Sequence, residues 1–382
     1  MCYTERSRSV ICLEIVSLRQ AQTDKRTIFQ KSHLTNKIVR YNFISMATIK
    51  DIAKKTKLSI ATISRALNND PKVTEETKNL VLKIADELNY RPNILARNFS
   101  QKKSNIIGLI LPDISDEFFS ELIKGVDSVT FKQNFFTMVI STHRYYELEN
   151  TLNSVLQNGL LGGMILLVPN INKNLKEILS QTKIPFVIIS GGMHTTNYDV
   201  VSVDNYQGAY DMTNYLIKKC RYKKIAHITG PKENDDAKIR VKAFMEACRK
   251  NNISIPKNFI VEGDFTREAG LKLGMELMSL KNKPEVIFAA NDMMALGCYD
   301  AASKKGLSIP DDIAVVGFDN IFVSQYLNPP LTTVSAQIED EGKKAAELLI
   351  EKIVSKDLSP TQPKKIKIAT ELIIRNSTKQ CK

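Results

Sequence analysis

Residues that usually carry catalysis are few and poorly placed. The four histidines, at positions 33, 143, 194 and 227, fall in no catalytic motif, and Ser190 has no histidine near it in any recognised arrangement. The six cysteines, at 2, 12, 220, 248, 298 and 381, form no CxxC pair and have no histidine at metal-ligand spacing. That pattern reads as free thiols in a reducing cytosol, with no metal site and no cofactor. Apolar runs are too short to cross a bilayer, and the first residues lack the long apolar core of a signal peptide, so neither a membrane protein nor a secreted one is expected. An enzyme is disfavoured on the same inventory.

Charge is plentiful and unevenly spread. The net charge is +13; the excess of Lys+Arg over Asp+Glu is +5 in residues 1–45, +6 in 46–104, and only +2 over the long remainder. The basic second segment contains ATIKDIAKKTKLSIATISRAL, Ala47 to Leu67, where two short helical patterns are joined by too few residues for anything but a tight corner. Thr48 with Asp51 three residues on resembles a capping box, and the first helix would bury Ile52 and Ala53. Ser59 caps the second helix, whose Ile63 and Leu67 share one face while Ile60, Ala61, Ser64 and Arg65 turn outward. Such a pair fits either an αα corner or a helix-turn-helix able to enter a DNA major groove. Basic charge suits phosphate neutralisation, though a solvated basic face would look the same.

Thr74 can cap a third helix to about Asn89, with Leu80, Val81, Ile84 and Leu88 as its buried stripe. The following PNILARNFS, Pro92 to Ser100, reads as a helix of about two turns, too short to be stable alone in water. Residues 1–45 show no sustained period; they read as a disordered tail, or as a mis-assigned start ahead of Met46. From Asn105 onward, short apolar runs alternate with amphipathic helices: 106–111, 136–140, 164–168, 186–189, 200–203, 225–228, 286–289 and 314–318. That texture predicts parallel sheets covered on both faces, in two doubly wound lobes with a ligand cleft between them.

Met46 to Thr378 resembles the lactose and galactose repressor family of bacterial transcription regulators. The resemblance rests on ATIKDIAKKTKLSIATISRALN with VTEETKNLVLKIADELNYRPNILAR, on IIGLILPDISDEFFSELIKGV, and on FAANDMMALG, IPDDIAVVGFDN and NPPLTTV. It implies an all-α helix-turn-helix headpiece (46–91), a hinge helix and linker (92–104), and an α/β two-lobed core like the periplasmic sugar-binding proteins (105–382). The lobes are expected at about 105–205 with 335–363, and about 206–334 with 364–382. The resemblance further implies a homodimer or tetramer reading an inverted-repeat operator in double-stranded DNA.

Carried over by position, Ile60, Ala61, Thr62, Ser64 and Arg65 would meet the major groove, Arg65 through a guanine edge or a phosphate. Thr48, Asn89, Tyr90 and Arg91 would contact the DNA backbone; Ala96 and Arg97 are further expected DNA contacts, and Phe99 would enter the minor groove, where many members have a wedging Leu. Lys57 stands where Gly or Asn is often found. In the core, Phe118, Phe119, Ser190, Arg240, Phe265, Asn291 and Asp319 are the expected effector contacts. Their mixture of an Arg, an amide, a carboxylate and aromatic rings suits a sugar or sugar derivative. Ser190 with Gly191 and Gly192 replaces an Asp found in many members. Asp204 and Asn205 are expected to be structural. The function implied is a cytoplasmic repressor of a carbohydrate utilisation operon; the alternatives are a solute-binding protein sharing the core fold and a purine-type, corepressor-dependent regulator.

Overall fold

The computed structural model describes residues 47–90, 104–142, 147–189, 197–355 and 362–379. The chain folds as two compact units, the first ending at Pro92. The N-terminal tail, Arg91, the hinge positions Ala96, Arg97 and Phe99, and Ser190 with the glycines after it lie outside the described residues.

The first unit holds three helices, α1 (Ile49–Thr56), α2 (Ile60–Leu67) and α3 (Glu75–Glu87). Each begins on a hydroxyl residue. The Thr48 amide and hydroxyl both donate to the Asp51 carboxylate, at 2.9 and 2.7 Å, and these bonds hold the Asp51 carboxyl below its ordinary range. Ser59 Oγ accepts from the Thr62 amide at 3.1 Å and Thr74 Oγ1 from the Thr77 amide at 3.4 Å, each meeting an amide that the helix itself leaves unpaired. The corner after α1 turns on Lys57 at φ 57°, a left-handed conformation that costs a side chain about 1 kcal/mol. The other two helices end on asparagines in the same conformation, Asn69 and Asn89. There the amides of Asp70 and Tyr90 reach back to the carbonyls of Arg65 and Ala85, closing both helix ends.

Ile52, Ile63 and Val81 form the centre of this unit, all fully buried. One expectation fails: Leu80 is 45% exposed. At 3.6 residues per turn the row Val81, Ala85, Leu88 faces α1 and α2, and Leu80 falls beyond its edge. The aliphatic stem of Lys78 is buried instead, its ammonium held at the surface by Glu75 at 2.7 Å.

The second unit starts with β1 (Ile106–Leu111), α4 (Glu117–Lys132), β2 (Phe136–Ser141), α5 (Leu148–Gln157), β3 (Gly163–Leu167), α6 (Lys173–Gln181), β4 (Phe186–Ile189) and β5 (Val200–Val203). It continues with α7 (Asn205–Asn214), β6 (Ile225–Thr229), α8 (Asp235–Lys250), β7 (Ile260–Glu262), α9 (Arg267–Met278), β8 (Val286–Ala289), α10 (Asp292–Lys304) and β9 (Ala314–Val316). It closes with β10 (Thr333–Ser335), α11 (Ile338–Ser355), β11 (Lys365–Ile368) and β12 (Glu371–Ile373). Six parallel strands in the order β11-β5-β4-β3-β1-β2 make the first lobe and four in the order β7-β6-β8-β9 the second; β10 and β12 pair antiparallel.

All eight apolar runs are strands, and the buried side chains of all but the edge strand β2 fill both faces of each sheet. Each fully buried Leu, Ile or Phe contributes roughly 1.5–3 kcal/mol. Helices α4 and α11 cover one face of the first sheet and cross closely, because Gly125 and Gly342 meet there; a Cβ on either would run into the main chain of the other helix.

The lobe boundary differs from expectation at one place. Lys365–Ile368 pairs with β5, so the first lobe continues to Ile368 rather than ending near 363. Its KIKI alternation, exposed and half-buried by turns, is that of a sheet-edge strand and carries no buried run to announce it. The chain therefore crosses between lobes after β5, between β10 and α11, and between β11 and β12.

Candidate functional site

Two surfaces of different chemistry stand out, one in each unit. On the first, α2 turns Ile60, Ala61 and Arg65 to solvent, Ile60 being 47% exposed. Ile63 and Ala66 on the opposite side anchor the helix. Of the eight expected DNA contacts among the described residues, four are therefore presented and four are partly engaged. Ser64 and Thr62 are half-buried, and the Thr62 hydroxyl exchanges a 2.9 Å hydrogen bond with Ser59. Thr48 already donates its hydroxyl to Asp51. At the end of α3, Asn89 is exposed, while Tyr90 packs its ring partly against the small core.

The second surface is a cleft of about 700 Å³, counted out to its open mouth, where the lobes face each other. Of the seven expected effector residues, Phe118, Phe119, Arg240, Phe265, Asn291 and Asp319 all line it. The carboxyl ends of the strands place them there. Asp116 caps α4 after β1, Asn234 caps α8 after β6, and Asn291 caps α10 after β8, so three helix N-termini converge on one space. The lobes touch at the rim: the Val323 amide donates to Glu117 Oε2 at 2.8 Å, the Asp235 amide to the Pro169 carbonyl at 2.9 Å, and Asn170 Nδ2 to the Glu233 carbonyl at 2.7 Å.

Arg240, from the second turn of α8, is the hub. It is 7% exposed, donates through Nε to Asn205 Oδ1 at 2.7 Å and through Nη1 to the Ala290 carbonyl, and lies 3.7 Å above the Phe318 ring. Asn205 passes the network on, donating to Asp236 Oδ1 at 2.9 Å. The Asp319 carboxylate stands 3.7 Å from Arg240 Nη2, beyond hydrogen-bond reach. Burial consequently pushes Asp319 well above the ordinary carboxylate range, with Arg240 opposing the shift only in part. Glu341 on α11 is buried to 1% exposure and pushed up for the same reason. Asp319 itself sits at φ 111°, a left-handed strain held by the hydrogen bond its backbone N–H donates to the Val334 carbonyl at 2.8 Å.

Phe265 is likewise held in an unfavourable conformation, at φ 69°. Asn291 Nδ2 donates to its carbonyl at 3.0 Å, and its ring lies over Gly230, where a Cβ would collide with it. Asn291 thus caps α10 with its oxygen and fixes Phe265 with its nitrogen, which makes it a positioning residue as much as a lining one.

Sequence reasoning missed Asp116, Asn234, Asp236 and Glu341, and assigned Asn205 only a structural part. Glu341 had a readable signal: it sits on the apolar row Ile338, Ala345, Leu349 of its helix.

Behind the cleft, Asp292 accepts from the Thr333 hydroxyl at 2.6 Å and the Ile321 amide at 3.0 Å, but burial outweighs both and lifts its carboxyl to about 7. An acid that holds its proton more tightly when folded stabilises the fold most at low pH. That contribution is complete below the unfolded value near ~4 and is lost as pH rises to about 7. Melting temperature should therefore fall between about pH 5 and about pH 7, and Asp292→Asn should flatten the slope. An unchanged slope in that variant would assign the effect to other groups.

Residues 48–93 match the lacI family of bacterial regulatory proteins, and residues 213–378 match a periplasmic binding protein-like domain. The HTH-type transcriptional repressor CytR of Escherichia coli strain K12 is 33% identical over 333 residues, which are 87% of this chain and 96% of CytR. The lac repressor dimer bound to operator and anti-inducer shares the fold, with a TM-score of 0.76 at 22% identity over 87% of this chain and 99% of that one. A LacI family regulator from Enterococcus faecium with bound ribose is 26% identical, with a TM-score of 0.62 over 72% of this chain and all of that one. Among the described residues no helix is long and apolar enough to cross a membrane. With a helix-turn-helix unit, a two-lobed α/β core and that identity along nearly the whole of a repressor, the chain belongs to the LacI family of bacterial regulatory proteins.

Proposed function

We propose that the protein is a cytoplasmic, non-enzymatic repressor that binds an inverted-repeat operator as a homodimer and is controlled by a small molecule in the cleft. The observation that carries the DNA-binding half is the exposed Ile60, Ala61 and Arg65 face of a capped, buried-backed helix in the basic part of the chain. For the effector half, support comes from the aromatic and hydrogen-bonding lining of the cleft, and from the bound ribose of the Enterococcus faecium relative. A carbohydrate or sugar derivative is the class these residues suit.

Control requires that the effector bind two arrangements of the lobes unequally, since a ligand with equal affinity for both shifts nothing. Pro92 to Ser100, too short to be a stable helix alone, is the stretch whose ordering such a difference would bias, with Phe99 as the minor-groove wedge and Arg97 as a further DNA contact beside it. Thr48, Thr62, Ser64, Asn89, Tyr90, Arg91 and Ala96 complete the proposed DNA contacts. Ser190 completes the proposed effector contacts.

The test is capture of genomic fragments by the full chain, followed by titration of a captured fragment with salt. Each phosphate neutralised lowers the logarithm of affinity by about 0.9 per logarithm of salt, so a protein making six to ten such contacts loses roughly a thousandfold or more between 50 and 200 mM. Failure to retain any fragment, or a flat salt dependence, would overturn the reading.

A further inference from the structure

The cleft has more acids than its cation can serve. Asp116, Asp236, Asp319 and Glu341 share the space with Arg240, the one cation lining it among the described residues. That guanidinium is already held by Asn205, the Ala290 carbonyl and the Phe318 ring. Two carboxylate oxygens are left over: Oδ1 of Asp319 and Oε1 of Glu341 are buried and have no hydrogen-bond partner. Their residues are 6% and 1% exposed, so solvent does not meet the need. Packing does not require the charge either, because Glu341 occupies a row of its helix otherwise filled by Ile338, Ala345 and Leu349.

We propose that Asp319 and Glu341 receive a positively charged nitrogen, so that the effector is an amine-bearing sugar, a hexosamine in class, rather than a neutral hexose or a sugar phosphate. The proposal rests on the effector-cleft reading above and narrows it. An ammonium supplies three donors and a charge in one group, which is what two orphaned carboxylate oxygens lack. A phosphate would face four carboxylates with the guanidinium already engaged. A metal ion is a poor substitute, since no three His, Cys, Asp or Glu side chains among the described residues are grouped to hold one. Phe118 and Phe265 give the ring of such a ligand apolar faces to lie against.

The protonation chemistry agrees. Burial raises both acids; Asp116, Glu121 and Asp292 add to the shift at Asp319, Asp236 adds to it at Glu341, and Arg240 opposes both. Without a cation these acids keep protons, and an arriving ammonium must release at least one to solvent.

Calorimetric titration of the full chain with glucosamine, galactosamine and mannosamine, each beside its parent hexose and N-acetyl derivative, tests this. The titrations are run near neutral pH in two buffers of different ionisation enthalpy. At least one hexosamine should bind roughly tenfold or more tightly than both uncharged mates, with heats that differ between the buffers by the released proton. Glu341→Gln should lower affinity for the hexosamine roughly tenfold more than for the parent hexose, removing that preference. A hexose that binds as well as its amine, an amine preference that survives both Glu341→Gln and Asp319→Asn, or no binding by any hexosamine overturns the assignment. Operator retention by the same preparation, measured alongside, reports separately whether the regulatory reading stands.

Discussion

Arg65→Ala should weaken operator binding by about thirtyfold to twenty-thousandfold without changing the stability of either unit. The range follows from about 1–3 kcal/mol for one arginine on a base edge, doubled by the two headpieces of a dimer. Stability should hold because only the main chain of Arg65 supports the headpiece: its carbonyl accepts from the amides of Asn68 and Asp70, while the side chain is exposed on a helix anchored by Ile63 and Ala66. Fluorescence anisotropy with a captured operator measures the loss, and circular dichroism checks the fold. The form of the loss also says what the guanidinium touches. Contact with a guanine edge relaxes preference at one position of each half-site, whereas contact with a phosphate weakens all sequences alike and lowers the salt slope by about one per site. Ile60→Ala offers a smaller comparison, since an aliphatic side chain gives only apolar contact with a thymine methyl. Affinity for operator unaltered by Arg65→Ala would remove α2 from the groove.

Strands with a continuous apolar run could be read in advance, the edge strand β2 among them, and those that are alternating or very short could not. A stretch such as Ile106–Leu111 is buried along nearly its whole length, so its residues announce a covered strand wherever it lies in the sheet. Lys365–Ile368 alternates charge with isoleucine, and Ile260–Glu262 and Thr333–Ser335 are three residues long, so local pattern says little about them. At the cleft, Phe118, Arg240, Phe265, Asn291 and Asp319 were reachable because each stands in or beside a motif that resembles the family's. Asp236 and Glu341 were not, because their meaning depends on which acids the lobe crossings bring to one cation. In IEDEG, Glu341 follows two other acids that are more exposed, and only the apolar row it shares marks it as different. Leu80 shows the opposite error: an apolar residue near a stripe was counted into it, although one position of helical phase leaves it in solvent.

Arg240→Met should lower the stability of the core by about 3–5 kcal/mol near neutral pH, the usual cost of removing one partner from a buried charge network. Methionine matches much of the aliphatic stem, so the change isolates the guanidinium. What is lost is first the join between three separate segments: Asn205 at the start of α7, the Ala290 carbonyl after β8, and the Asp319 loop after β9. Second, Asp319 and Glu341 lose the charge that opposes their burial. Because those acids escape by taking up protons, the deficit should shrink as pH falls and grow as it rises. Arg240→Lys keeps the charge but cannot span Asn205 and Ala290 together, so it should fall between the two. Combining Arg240→Met with Asp319→Asn should cost less than the sum of the single changes, since the second removes the acid whose burial the first leaves unopposed. Denaturant melts of the wild type, the three single variants and the double variant at two pH values decide it. A loss under about 1 kcal/mol that ignores pH would mean that the apolar core around these segments holds them without the guanidinium, and that Arg240 serves the ligand rather than the fold.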